Sequence, residues 1–206
     1  KDYLSRKNPF FNHSSADYFL AISGNRVVGR IACINNTVHN KVYNEQTGFF
    51  GFFESVGNYE VAACLLDKAV EWSRDHGHNR IIGPTNFTTN DTCGMLISGF
   101  DQPAVIMMPY NKPYYDEYLC RYGFVKEMDL SSYYISSEEL KAAPVSKLAF
   151  RLNEKLAASG ISIRKIDYKI LDKEIIPFRE VYNQSNLHNW GFIPLDEDEF
   201  RHIAYQ

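Results

Sequence analysis

Apolar positions along the chain fall into blocks of changing period. Tyr18-Phe-Leu-Ala-Ile22 and Val27-Val-Gly-Arg-Ile-Ala-Cys-Ile34 flank Gly24-Asn25. That dipeptide suits a two-residue turn, so the two runs predict a β-hairpin. Next comes Gly48-Phe-Phe-Gly-Phe-Phe-Glu54, with Phe49, Phe50, Phe52 and Phe53 on both faces. Apolar side chains on both faces predict a strand covered from two sides. The period then changes: Val61, Leu65, Ala69 and Trp72 recur at spacings of four or three. Such a stripe is the apolar face of a helix, here running to His76, with Gly77 as its left-handed stop. Arg80-Ile-Ile-Gly83 returns as a strand, expected to lie parallel to the Phe-rich one because a helix separates them.

A second strand–helix–strand pattern follows. Val105-Ile-Met-Met108 predicts a short strand, and Pro109-Tyr-Asn-Lys-Pro113 a turn into a helix with Tyr115, Tyr118, Leu119 and Tyr122 on one face. Gly123 ends that helix, and Phe124 to Tyr134 predicts a closing strand. The stretch Thr85 to Gly94 is too polar for a core strand; it suits either ligand contacts or plain solvent exposure. Composition shifts after Tyr134. Residues 136–144 suggest a linker, followed by a helix carrying Leu148, Leu152 and Leu156, a strand from Ile161 to Ile166, and a helix through Val181 and Tyr182. Asn189-Trp-Gly-Phe-Ile-Pro194 breaks the pattern, and Asp196 opens a last helix with acids in its first turn, where the helix dipole favours them. The expected organisation is one α/β (α+β) domain over 1–135, a linker over 136–144, and the opening of a second domain over 145–206.

Composition excludes more than it assigns. In 206 residues, 45% hydrophobic and 15% aromatic content is enough to fill a core. A net charge of -3 gives no electrostatic reason to expect nucleic acid or an anionic membrane. No apolar run approaches the roughly 20 residues of a membrane span. The chain opens on Lys1 without an initiating Met or a signal-peptide pattern, which suggests a start upstream and a cytoplasmic location. Cys33, Cys64, Cys93 and Cys120 show no metal-ligand or C-x-x-C spacing, so no metal site is expected, and Cys33 and Cys64 read as small core residues. Sequons at Asn12, Asn35, Asn86, Asn90 and Asn183 are taken as chance in an Asn-rich chain.

The order hairpin, Phe-rich strand, A-x-x-L-L-x-x-A-x-x-W helix, strand, then Tyr118-Leu-Cys-Arg-Tyr-Gly-Phe124 resembles the core of the GNAT acyl-CoA-dependent N-acyltransferases. It is most similar to long bacterial proteins with two GNAT-like units in tandem, through Asn8-Pro-Phe-Phe11, the Phe-rich strand, Tyr110-Asn-Lys-Pro-Tyr-Tyr115 and Asn189 to Pro194. The resemblance implies a mixed, mostly antiparallel sheet with helices on both faces. It also implies acetyl-CoA or a longer acyl-CoA as acyl donor and a small-molecule or lipid-like amine as acceptor. Phe52 and Phe53 would pair with the donor's amides, and the N–H groups of Val61, Ala62 and Ala63 would face its pyrophosphate.

Glu54, at the end of the strand, is the candidate general base, its pKa raised if Phe rings wall it in; the other reading is a carboxylate facing water. Tyr118 is the candidate acid for the leaving thiolate. His39, Asn86, Tyr110 and Asn111 are candidate acceptor contacts. Two features depart from the family pattern. Its pyrophosphate loop, Q/R-x-x-G-x-G/A, is met here by Gly57, Glu60 and Ala62, so a carboxylate stands where phosphate should sit. Its acid Tyr falls on Leu119, with Tyr118 displaced by about 100° around the helix. A non-catalytic binding unit of the same shape is therefore the alternative reading.

Overall fold

The computed structural model describes residues 3–142, 152, 155–156 and 158–205. The described residues up to Lys126, together with those from Ile175 onward, form one compact unit, and Glu127–Glu174 form another.

In the first unit, β1 (Ser15–Ser23) and β2 (Arg26–Asn35) make the expected hairpin, with Gly24 at positive φ in the turn. After α1 (Thr37–Tyr43), β3 (Thr47–Ser55) pairs antiparallel to β2. Next come α2 (Tyr59–Asp75) and β4 (Arg80–Ile82), which pairs parallel to β3. The sheet is open and mixed, in the order β1-β2-β3-β4, as expected for this class. Pairing between β3 and β4 stops after Phe49↔Ile82.

The Phe residues of β3 do cover both faces. Phe50 and Phe53 join Ile31 and Cys33 in a core closed by Ala62, Leu65, Leu66, Ala69 and Trp72 of α2 and by Tyr115 and Leu119 of α3 (Tyr114–Tyr122). Phe49 packs on the opposite face with Phe10, Ala32, Ile34 and Phe87. Strict alternation would send Phe53 away from Phe50. A bulge at Phe52–Phe53 opposite Ile31 shifts the register by one, so Phe53 returns to the α2 side and Phe52 joins the other core. Cys33 is buried, and burial pushes its thiol up to about 12. Cys64 is exposed, against expectation, because it lies on the water side of α2.

Three expected strands do not form. Val105–Met108 is an exposed turn, and neither Phe124–Tyr134 nor Ile161–Ile166 takes part in the sheet. An apolar run becomes a strand only where an edge receives it, and beyond Phe49 the edge of β3 is already occupied by Thr85 N–H and by the side chains of Asn86, Tyr114 and Tyr115. The Asn189–Pro194 motif folds back onto the polar loop of the same unit. Thr89 Oγ1 donates to Gly191 O, Asn90 Nδ2 to Ile193 O (2.8 Å) and Tyr43 Oη to Phe192 O (2.8 Å). Ile175, Phe192, Ile193 and Leu195 are buried there. Helix α5 spans Leu171–Asn186. The last helix, α6 (Glu197–Ala204), has the acid-rich start read from the sequence, closed by a capping box between Asp196 and Glu199.

Within the second unit, α4 (Ser137–Ala142) begins with reciprocal Ser136–Glu139 bonds. An Arg164–Glu174 ion pair (2.9 Å) lies near the start of α5. The expected helix face of Leu148, Leu152 and Leu156 falls partly outside the described residues.

Candidate active site

The site is organised by the edge of β3 that β4 leaves open. Thr85 N–H donates to Phe50 O (2.8 Å) and Phe52 N–H to Asn86 Oδ1 (2.8 Å). Ser55 N–H donates to Tyr115 Oη (2.8 Å), and Tyr114 Oη donates to Ser55 O (2.9 Å). One backbone N–H and three side chains thus do the work of a neighbouring strand. Gly51 is required at this edge, because a Cβ there would collide with the Thr85 carbonyl. Phe52 sits at φ 47°, a left-handed conformation uncommon for an aromatic residue and stabilised here by the bulge and its bond to Asn86.

Beside this edge lies a cavity of about 130 Å³ lined by Phe52, Phe53, Glu54, Asn86, Tyr110 and Asn111, with Arg30, Met95, Tyr115 and Leu119 among the other residues of its wall. The structure therefore brings together six residues singled out from the sequence. It also adds Tyr115, which the sequence placed on the Tyr face of a helix, able to line a pocket but more simply core, and gave no catalytic role. Tyr115 is buried and donates from Oη to Glu54 Oε2 at 2.7 Å while accepting from Ser55 N–H. Desolvation, opposed by the Ser55 bond and reinforced by Glu54, raises its pKa above the ordinary phenol range, so it keeps its proton at neutral pH. Glu54 is not walled in by Phe. Its side chain is 54% exposed at the cavity mouth, with Arg30 at 4.0 Å.

The remaining candidates lie elsewhere. Tyr118 is absent from the cavity wall; its ring packs on Tyr59 and Tyr114. The helical face that meets the cavity is that of Leu119, and the phenol on it is one turn earlier, at i−4. That spacing was the available signal for Tyr115. His39 is buried on α1, tilted over Tyr43 and edge-on to Phe49, with Nε2 3.5 Å from Glu45. Desolvation lowers its pKa. Helix α2 begins earlier than its apolar stripe suggests, because Asn58 caps it and accepts from Glu60 N–H (2.9 Å). Ala62 N–H is already bonded to Asn58 O and Ala63 lies a residue deeper, so of the three expected pyrophosphate contacts only Val61 is in the first turn, beside Tyr59.

Two curated proteins are similar to this chain. Protein YghO of Escherichia coli K12 is 33% identical over 206 residues, covering 100% of this chain and 52% of that protein. A bacterial ceramide synthase of Caulobacter vibrioides is 32% identical over 205 residues, covering 98% of this chain and 52% of that protein. The chain spans about half the length of each. No family model and no solved structure matches it.

Away from the cavity, His13, Asp196 and Glu199 bring their ligand atoms within 4.8 Å of one another. Hydrogen bonds account for the grouping. His13 Nε2 meets Glu199 Oε1 at 3.0 Å, His13 Nδ1 meets Ser14 Oγ at 2.8 Å, and Asp196 and Glu199 bond each other's backbone N–H in the capping box. The Glu199 hydrogen bond raises the His13 pKa. No helix among the described residues is long and apolar enough to cross a membrane.

Proposed function

We propose that this chain carries the acyl-transfer site of a CoA-dependent N-acyltransferase that acts on a primary amine and belongs to the GNAT-like class. The observation that carries the reading is the Glu54–Tyr115 pair, 2.7 Å apart, at the mouth of a cavity beside a bulged strand edge. The similarity to a protein named a ceramide synthase supports acyl transfer and a lipid-like acceptor, a ceramide being an N-acylated long-chain amino alcohol. The half-length match leaves room for a second, similar unit in a tandem arrangement.

The chain's groups suit the two proton movements such a transfer requires. Glu54, half in water, accepts a proton from the acceptor's ammonium and so frees the amine that attacks the thioester. Tyr115 holds a proton at Oη that it can give to a leaving thiolate, and Glu54, protonated by the ammonium, returns one to the phenolate across their hydrogen bond. Tyr115 takes the role the sequence gave to Tyr118. The acyl-CoA supplies the activated thioester. Its amide end suits the β3 edge once Asn86 releases Phe52 N–H. Its pyrophosphate end fits less well, since Glu60 stands in the first turn of α2 and Asn58 already caps that turn.

Calorimetry with acetyl-, octanoyl- and palmitoyl-CoA, followed by CoA-thiol release in the presence of a long-chain primary amine, tests the reading. Glu54→Gln and Tyr115→Phe are each expected to lower kcat by about 100-fold or more with smaller effects on KM. Binding without turnover would instead support a non-catalytic unit of the same shape.

A further inference from the structure

Among the described residues of the cavity wall, only Arg30 and Glu54 are charged. They stand directly opposite each other on β2 and β3, so the sheet itself keeps the two side chains together. Their commitments differ. Glu54 uses Oε2 on Tyr115 at 2.7 Å, while its Oε1 lies 4.0 Å from Arg30 Nη2, beyond hydrogen-bond reach. The Arg30 side chain is 55% exposed, and among the described residues its guanidinium makes no hydrogen bond. The amides of the wall are less available. Asn111 accepts from Leu96 N–H (2.6 Å) and donates to Leu96 O (3.2 Å) and Lys112 O (3.0 Å). Asn86 Oδ1 accepts from Phe52 N–H (2.8 Å). A ligand in the cavity therefore meets one anion and, beside it, one cation with its donors uncommitted.

We propose that Arg30 sets the acceptor specificity of this site by binding an oxygen carried two carbons from the substrate's amine nitrogen. The inference rests on the reading of Glu54 as the residue that meets the ammonium. An N–C–C–O unit can bridge the 4.0 Å gap, with its ammonium on Glu54 and its oxygen on Arg30. The charges are complementary in order: carboxylate to ammonium, guanidinium to oxygen. That oxygen is the hydroxyl of a 2-amino alcohol or the carboxylate of a 2-amino acid. A guanidinium donates to either, and to the carboxylate with both arms of its fork. A plain alkylamine offers Arg30 no acceptor.

The test compares octylamine, 2-aminooctan-1-ol and 2-aminooctanoate, first by calorimetry on the purified chain and then by CoA-thiol release from acetyl-CoA. The wild type should bind at least one oxygen-bearing amine on the order of tenfold more tightly than octylamine, with a similar ratio in kcat/KM. Arg30→Met should bring that ratio to about one. Arg30→Lys should keep part of it for 2-aminooctanoate, because an ammonium retains the charge and loses the fork. The amine that loses more in Arg30→Met shows whether the oxygen is neutral or charged. Reading a ratio cancels any influence of Arg30 on Glu54. The melting temperature should stay near that of the wild type, since a half-exposed pair at 4.0 Å adds little to stability. Wild-type binding that is indifferent to the oxygen, or a preference that survives Arg30→Met, overturns the proposal. If the preference depends on Arg30 but no CoA thiol is released, the proposal stands and the catalytic reading fails. Turnover of all three amines without preference sinks the proposal and leaves the catalytic reading in place. Binding of none of the three overturns both.

Discussion

Replacing Tyr115 by Phe removes one oxygen from a buried place and tests the site without requiring knowledge of the substrate. That oxygen accepts from Ser55 N–H at 2.8 Å and donates to Glu54 Oε2 at 2.7 Å. Ser55 is only 7% exposed, so its N–H would be left with no acceptor in a place water does not reach. Stranding a buried donor costs about 1–3 kcal/mol. The lost bond to Glu54 adds little, because a carboxylate that is 54% exposed regains water. The expected destabilisation is therefore about 2 kcal/mol, measured as a lower urea midpoint at unchanged slope. Tyr118→Phe is the control: among the described residues that hydroxyl makes no hydrogen bond, and the change should stay within about 0.5 kcal/mol. If Tyr115→Phe unfolds with the wild type while Tyr118→Phe is costly, the assignment of the β3 edge is wrong, and Tyr118 returns as the phenol of the site.

Two further outcomes follow from the same geometry. His13 has a raised pKa in the folded state, so its bond to Glu199 adds stability fully below the unfolded value near 6.5 and loses it as pH rises through the folded value. Relative to His13→Gln, the wild type should lose roughly 1 kcal/mol between pH 6 and 8.5, and parallel pH profiles would sink the idea. Glu60 lies in the first turn of α2, where an acyl-CoA pyrophosphate would rest. Glu60→Gln should tighten acyl-CoA binding about 5-fold by calorimetry, and an unchanged Kd would place the phosphates elsewhere.

The sequence by itself determined what local geometry determines. Gly24-Asn25 specified the hairpin, the stripe of Leu65, Ala69 and Trp72 specified α2, and Gly77 and Gly123 marked helix ends with positive φ. Asp196 specified the start of α6 through its capping box. Each signal acts within a few residues, so a linear reading catches it. The cavity was also largely legible, since the end of a Phe-rich strand and the polar segment after β4 do converge, bringing Glu54, Phe52, Phe53 and Asn86 together. Only the tertiary structure decided the rest. Val105–Met108 has the composition of a strand, but a strand needs an edge, and Thr85, Asn86, Tyr114 and Tyr115 had filled the edge of β3. The one-residue bulge at Phe52–Phe53 reassigns side chains between two cores, which alternation alone cannot foresee. Whether Tyr115 or Tyr118 reaches Glu54 turns on about 100° of helix rotation, and that rotation is set by Leu119 and Tyr115 packing against β3 and α2.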